Sequence, residues 1–359
     1  MSKLLFIVVG ARPNFIKIAP IIKELDMRKT NYQIIHTGQH YDKLMSDIFF
    51  EDLKIPEPDI NLNVKSTYHG QQIAKMISMF EILCYKNKPN CVMVIGDVNS
   101  TLAAAFVASK INGIKLVHVE SGERSYDKAM PEEINRVITD HLSDYLFCTG
   151  NTASHNLSKE GIDKDKIHIV GNTMIDNLIN HLQVIKNYVT NQTRPYIIVT
   201  LHRASNTDDL ERLKEILQAI QTISTYIHIV FPIHPRTAKK IEQFKLQKYL
   251  DNVEVRTPMS CLKFLSYVNG AKVVLTDSGG LQIEAAFLNV PCITMRYNTE
   301  HINTISQNVN ILVGSNREQI YEAVSEKLIT KNKTKYKDPL FDGQASKRMV
   351  KILGENNLI

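Results

Sequence analysis

No apolar stretch in this 359-residue sequence approaches the ~20 residues that cross a bilayer, so no membrane-spanning helix is expected. The start, Met1-Ser2-Lys3 followed by the apolar run Leu4 to Val9, is too short and lacks a small-residue cleavage site for a signal peptide. Cys84, Cys91, Cys148, Cys261 and Cys292 are odd in number and form no CxxC pair. They read as reduced, buried thiols of a cytoplasmic protein, and no metal site is expected. The net charge of +6 is spread over many lysines without a basic block, so neither nucleic acid nor a membrane surface is expected as a partner. No internal repeat or low-complexity tract is visible. What remains is ordinary globular composition, 43% hydrophobic and 22% charged, on a chain long enough for two domains.

Short β-branched runs alternate with segments of helical period, the pattern of parallel sheets covered by helices on both faces. A first series comprises Leu4 to Val9, Gln33 to His36, Cys91 to Ile95, Lys115 to Val119, Tyr145 to Cys148 and Ile167 to Val170. After the polar stretch Asn187 to Pro195 a second series follows: Tyr196 to Thr200, His228 to Phe231, Val253 to Val255, Lys272 to Leu275 and Cys292 to Met295. The fold class expected is α/β, two doubly wound Rossmann-like domains. We place them at residues 1–172 and 173–343, with the amphipathic segment 344–359 free to pack back on the first. Neither series carries GxGxxG after its first strand, so the usual dinucleotide fingerprint is missing and no NAD is expected.

Ligands of open parallel sheets bind beyond the carboxyl ends of the strands. Four groups of residues sit there. The turn Gly10 to Lys17 places Arg12 and Lys17 at a helix N-terminus, suited to an anion, although both also read as surface cations. In the second domain Thr276-Asp277-Ser278-Gly279-Gly280 opens a helix whose free N–H groups suit a diphosphate, with Glu284 one turn on to accept from ribose hydroxyls; a packing turn is the plainer alternative. Asp97 and Glu120 end neighbouring strands, and Glu132 follows Pro131. Clustered carboxylates raise one another's pKa, letting one act as base while another keeps its proton. Against this, Asp97 reads equally as a helix cap and Glu132 as a first-turn acid. Lastly His202 and His234 end strands of the second domain, where an imidazole can protonate or stabilise a leaving phosphate.

Taken in order, GARPNFIK, HTGQHYD (His36 to Asp42), GDVNSTLA (Gly96 to Ala103), HVESGERS, MPEEINR, the HR pair at His202, the HP pair at His234 and LTDSGGLQIEAA resemble the non-hydrolysing UDP-N-acetylglucosamine 2-epimerases over nearly the whole chain. The resemblance implies a GT-B type fold with the two domains facing a cleft. It also implies a homodimer, a role in polysaccharide biosynthesis, and a reaction without cofactor: UDP leaves across C1 and C2, and adds back after C2 is reprotonated on the other face. On that pattern Asp97, Glu120, Glu132 and His202 are catalytic. Arg12, Lys17, Arg124, Arg136, His234, Ser278, Gly279, Gly280 and Glu284 bind the UDP-sugar.

The sequence departs from the commoner pattern at Ser121, Glu123, Leu201, Ile283 and His301, which bears on sugar specificity more than on the chemistry. Competing readings are a 2-epimerase of a modified donor such as a UDP-2,3-diacetamido uronic acid, a glycosyltransferase or hydrolase of the same fold, and a non-catalytic UDP-sugar sensor.

Overall fold

A computed structural model describes residues 3–38, 55–66, 68–188, 192–330 and 335–359; the side chain of Arg12 and positions 39–42 of the HTGQHYD run lie outside the described residues. The chain separates into two compact units, residues 1–180 with 339–359, and residues 181–338. The division falls inside a helix, so the first turns of the segment expected to open the second domain belong to the first unit.

The first unit runs β1 (Leu5–Val9), α1 (Arg12–Met27), β2 (Tyr32–His36), β3 (Ile60–Asn61), α2 (His69–Asn87), β4 (Cys91–Ile95), α3 (Asn99–Lys110), β5 (Lys115–Ser121), α4 (Pro131–Leu142), β6 (Tyr145–Cys148), α5 (Asn151–Lys159), β7 (Ile167–Ile169) and α6 (Thr173–Asn187). All strand pairs are parallel, in the order β3-β2-β1-β4-β5-β6-β7. β1 and β4 are buried along their whole length because helices cover both faces. Phe6, Val8, Val92 and Val94 meet Met76, Phe80 and Ala104 of the helices on one side. The strand order reverses between β1 and β4, so the connections that leave their carboxyl ends run to opposite faces of the sheet, the usual place for a ligand.

The second unit runs β8 (Tyr196–Thr200), α7 (Ala204–Thr207), α8 (Leu210–Ser224), β9 (His228–Pro232), α9 (Pro235–Gln243), β10 (Glu254–Arg256), α10 (Cys261–Gly270), β11 (Val273–Thr276), α11 (Gly279–Phe287), β12 (Cys292–Thr294), α12 (Ile302–Ser306), β13 (Asn310–Leu312) and α13 (Arg317–Ile329). Its parallel order, β10-β9-β8-β11-β12-β13, repeats the plan with the reversal between β8 and β11. Ile197, Val199, Phe231 and Leu275 pack against Ile216, Leu217 and Ile220 of α8.

The chain then ends in α14 (Ala345–Glu355), which belongs to the first unit and packs on α1 through a buried stripe of Ala345, Met349, Val350 and Leu353. Its N-terminus is tied to α6: Asp176 accepts from the backbone N–H of Ala345 at 3.1 Å and of Ser346 at 2.7 Å. A buried carboxylate there satisfies donors that the helix itself leaves unpaired. The short edge strands β3 and β13 were not anticipated; two and three residues carry too little alternation to stand out.

Candidate active site

In the first unit the informative side chains gather where β1, β4 and β5 end. Asn14, buried in the first turn of α1, accepts from the backbone N–H of Gly10 and Ala11 at 3.1 and 3.0 Å and donates to the Ile95 carbonyl at 2.9 Å. It thereby fastens the turn after β1 to the end of β4. One helical turn along, Lys17 forms an ion pair with Glu120, both only slightly exposed. Burial works against the Lys17 charge, but Glu120 and Asp97 outweigh it and hold the ammonium above its ordinary pKa.

Glu120 owes its direction to an irregularity. The β5–β6 register shifts between Val119 and Ser121, and Glu120 takes φ +69°, a left-handed conformation unusual for a residue with a side chain. Such strain persists only where the surroundings over-determine it, and it collects at functional sites. The N-cap of α3 is Val98, one residue beyond Asp97; the Asp97 carboxylate pairs with Arg136, while Asn135 Nδ2 donates to its carbonyl at 2.9 Å.

The adjacent acids Glu132 and Glu133 part company. Glu133 is buried and accepts from the backbone N–H of Ser125 and Tyr126, from the Ser125 hydroxyl and from Arg136 at 2.6–3.0 Å. Burial opposes its charge, yet these donors hold the carboxyl below its usual range. Glu132 stays half-buried in the first turn of α4 behind Pro131.

Of the expected ligand-binding cations, Arg136 bridges Asp97 and Glu133. Arg124 has a side chain only 1% exposed and is held by Asp140 at 2.7 Å, Glu160 at 2.7 Å and the Glu123 carbonyl at 2.8 Å. Both guanidinium groups are thus buried among the protein's own carboxylates.

In the second unit, Thr200 and Thr276 end β8 and β11 with their hydroxyls 2.5 Å apart. Asp277 follows, fully buried, and accepts from the backbone N–H groups of His202 and Arg203 while facing His202 Nδ1 at 3.1 Å. Desolvation opposes this carboxylate, but His202 and the backbone donors hold it below the usual range. With Nδ1 facing Asp277, the other ring nitrogen of the partly exposed His202 is Nε2. The His234 ring lies 5.6 Å away, and its Nδ1 accepts from the Arg236 N–H at 3.2 Å, which places the ring proton on Nε2.

Ser278 is the N-cap of α11 with no side-chain cap bond, so the first turn, which begins at Gly279 and Gly280, gains no cap from it, and a helix start of this kind suits an anion. A Cβ placed on Gly279 would lie 3.7 Å from Arg296 Nη1, 3.7 Å from Glu300 Oε2 and 3.8 Å from Arg203 Nη2, so two guanidinium groups and the carboxylate paired with Arg296 border this turn. Glu284, one turn further, is buried, and desolvation pushes its carboxyl up to about 8. At the end of β10 a hollow is lined by Arg256, Thr257, Pro258, Met259, Ser260 and Lys263.

Several of these groups escaped the reading of the sequence: Asn14, Glu133, Arg203, Asp277 and Arg296. Asp277 lay inside a motif already singled out, and a carboxylate ending a strand beside the His-Arg strand end was the signal for it.

A family profile described as UDP-N-acetylglucosamine 2-epimerase matches residues 23–354. The chain belongs to the UDP-N-acetylglucosamine 2-epimerase family. Within that epimerase family a Methanococcus maripaludis UDP-N-acetylglucosamine 2-epimerase is 44% identical over 97% of either chain. A Pseudomonas aeruginosa UDP-2,3-diacetamido-2,3-dideoxy-D-glucuronate 2-epimerase is 41% identical over 97% of this chain and 98% of that one. The crystal structure of the Methanocaldococcus jannaschii epimerase in complex with UDP-GlcNAc and UDP superposes with a TM-score of 0.92 at 43% identity, covering 98% of this chain and 99% of that one. The fold is thus the GT-B type α/β fold of the epimerases, and the chain is an isomerase.

Proposed function

We propose that the protein interconverts UDP-N-acetylglucosamine and UDP-N-acetylmannosamine by eliminating UDP to a bound 2-acetamidoglucal and adding it back. The observation that carries this reading is the joint presence, at the two strand-order reversals, of a carboxylate set and an anion-binding helix start. Asp97 and Glu120 flank Lys17 in one unit; His202, held by Asp277, stands beside the open first turn of α11 in the other.

The C2 hydrogen is not acidic, so departure of UDP must carry the step, and the charge that develops on the diphosphate must be met by preorganised donors. Gly279, Gly280, Ser278, His202 and Arg12 are assigned to that charge, with Lys17 and His234 as further substrate contacts, and Glu284 to the ribose hydroxyls. The hollow after β10 is assigned to the base. Protons leave and return on opposite faces of C2, for which Asp97, Glu120 and Glu132 are the acid/base groups. Arg136 orients Asp97 through their ion pair, and Arg124 acts from beneath the site as a positioning residue.

Five buried cysteines, none in a disulfide, support a reducing cytoplasmic setting, and exposed Ile82 and Tyr85 of α2 support association of two copies. A supply role for polysaccharide synthesis follows from the product class. The 41% identity to a diacetamido-uronate epimerase favours one second reading, in which the sugar carries a second acetamido group and a carboxylate.

Proton NMR of each donor incubated with enzyme in deuterated water, without added nicotinamide or metal, tests both. Deuterium at C2 and a second UDP-sugar from UDP-N-acetylglucosamine support the first reading. Turnover of only the diacetamido uronic donor selects the second, and turnover of neither sinks both.

A further inference from the structure

His118 lies on β5 with no exposed surface, two residues before Glu120, and takes no part in the chemistry just described. Its ring is held on both sides. Nδ1 is 2.6 Å from Asp140 Oδ1 and Nε2 is 2.9 Å from the carbonyl oxygen of Gly96. A carbonyl oxygen has no hydrogen to give, and Asp140 is kept as a carboxylate: desolvation opposes its charge, but His118 and Arg124 hold its pKa below the ordinary value. A neutral ring donates once, and its other nitrogen would turn a lone pair on an oxygen lone pair at hydrogen-bonding distance. Both contacts are attractive only when each nitrogen carries hydrogen.

The charges around it balance. His118 and Arg124 are the cations, and Asp140, on α4, is the anion between them; Glu160, past α5, closes the network against Arg124 at 2.7 Å.

The bonds made by this pair run to the two chain segments that present the acids. Gly96, at φ +68°, turns the chain immediately before Asp97; its N–H donates to the Val119 carbonyl at 3.0 Å while its carbonyl receives His118. The other Asp140 oxygen accepts from the Gly122 N–H at 3.1 Å, two residues beyond Glu120. We propose that His118, doubly protonated and paired with Asp140, is the positioning residue that sets the spacing of the Asp97 and Glu120 carboxylates by tying the turn after β4 to the end of β5.

This inference rests on the acid/base roles given above to Asp97 and Glu120. Three measurements test it. In protein labelled with ¹⁵N-histidine, the two-bond proton–nitrogen spectrum of His118, assigned by comparison with His118→Gln or Asp140→Asn, should show both ring nitrogens carrying hydrogen, as the two contacts require. One unprotonated nitrogen at pH 7 overturns the proposal.

In His118→Gln, UDP should bind within twofold of the parent, while kcat and deuterium uptake at C2 fall together by about 10²-fold, the usual consequence of misplacing a reacting group by about an ångström. A folded variant with kcat within twofold of the parent overturns it. Asp140→Asn keeps an acceptor for Gly122 and lets a neutral His118 retain its bond to Gly96, so it should lose no more than about a tenth of that factor. A loss as deep as that of His118→Gln, or a collapse with UDP binding also gone, overturns it. Asp97→Asn and Glu120→Gln run alongside. Full activity in those amides sinks the acid/base reading, whereas inactive amides beside an unaffected His118→Gln sink the positioning inference alone.

Discussion

Asp277 accepts the backbone N–H of His202 on both carboxylate oxygens, at 3.1 and 3.0 Å, and faces the ring Nδ1 of the same residue at 3.1 Å. The carboxylate therefore fixes both where the histidine starts and how its ring is turned. An amide at this position offers N–H groups to donors and drives the ring toward the wrong tautomer. Asp277→Asn should lower kcat by about 10²-fold or more, with KM little changed, because the loss falls on charge that develops as UDP departs. Steady-state rates with UDP-N-acetylglucosamine check this, and an unaltered kcat removes the orienting role.

The same burial predicts acid sensitivity. Asp277 and Asp140 are both held below the ordinary carboxyl range by cationic and N–H partners that outweigh their desolvation. A depressed folded-state pKa contributes stability that is complete above the unfolded value and is lost as pH falls through the folded one. Unfolding free energy measured in urea should hold steady above pH 5 and drop below about 4. Asp277→Asn should flatten that drop. An identical acid profile in the variant would assign the loss elsewhere.

These two aspartates also mark how far the sequence could be read. The doubly wound sheets were visible because β1, β4, β8 and β11 are continuous apolar runs, and the strand ends pointed to Asp97, Glu120 and His202. Periodicity does not register a bulge, so the turned backbone of Glu120 was hidden. Nor does it tell which of two adjacent acids faces inward; the donors from Ser125 and Tyr126 that claim Glu133 come from a loop whose path depends on tertiary packing. Arg124 and Arg136 look like ligand contacts in a list of motifs because an arginine beside a catalytic acid serves either purpose. Their pairing with Asp140, Glu160 and Glu133 depends on tertiary placement that the motifs do not carry.

Gly96 joins backbone strain to the acid cluster. Its φ of +68° costs an L side chain about 1–2 kcal/mol. A Cβ there would stand 3.3 Å from Lys17 Nζ and 3.4 Å from Glu120 Oε2, tighter than ordinary contact for the first. Gly96→Ala should lose about 1–2 kcal/mol in a urea titration and also lower kcat, since relief of the contact displaces the Lys17–Glu120 pair. Loss of stability with an untouched kcat would separate that pair from catalysis.

Glu284 links nucleotide binding to pH. Burial raises its carboxyl to about 8, so the unliganded protein holds it mostly neutral near pH 7. Ribose hydroxyls donate best to a carboxylate, so binding UDP favours the ionised form and releases the proton. Affinity for UDP should rise between pH 6.5 and 8.5, above the range in which the terminal phosphate itself titrates at about 6. Calorimetry in buffers of different ionisation enthalpy should show close to one proton released at pH 7, and Glu284→Gln should abolish the release. The same release from the variant would place the titrating group elsewhere.

The acids supply the most direct test of the reaction. If Asp97, Glu120 and Glu132 exchange the C2 proton with solvent, turnover in deuterated water labels C2 of the product, and return of the glucal to the starting sugar labels that pool as well. Converting each acid to its amide keeps shape and removes the base, so each variant should lose epimerisation by about 10²-fold or more. The structure separates the expected side effects. Asp97→Asn weakens a pair with buried Arg136 and Glu120→Gln a pair with Lys17, so both should also lose some stability. An acid that serves only to hold its partner moves the unfolding midpoint and leaves the labelling rate per folded molecule intact. Measuring both quantities on each variant therefore distinguishes a proton carrier from a support. Product without deuterium at C2 would exclude proton exchange there whatever the variants do.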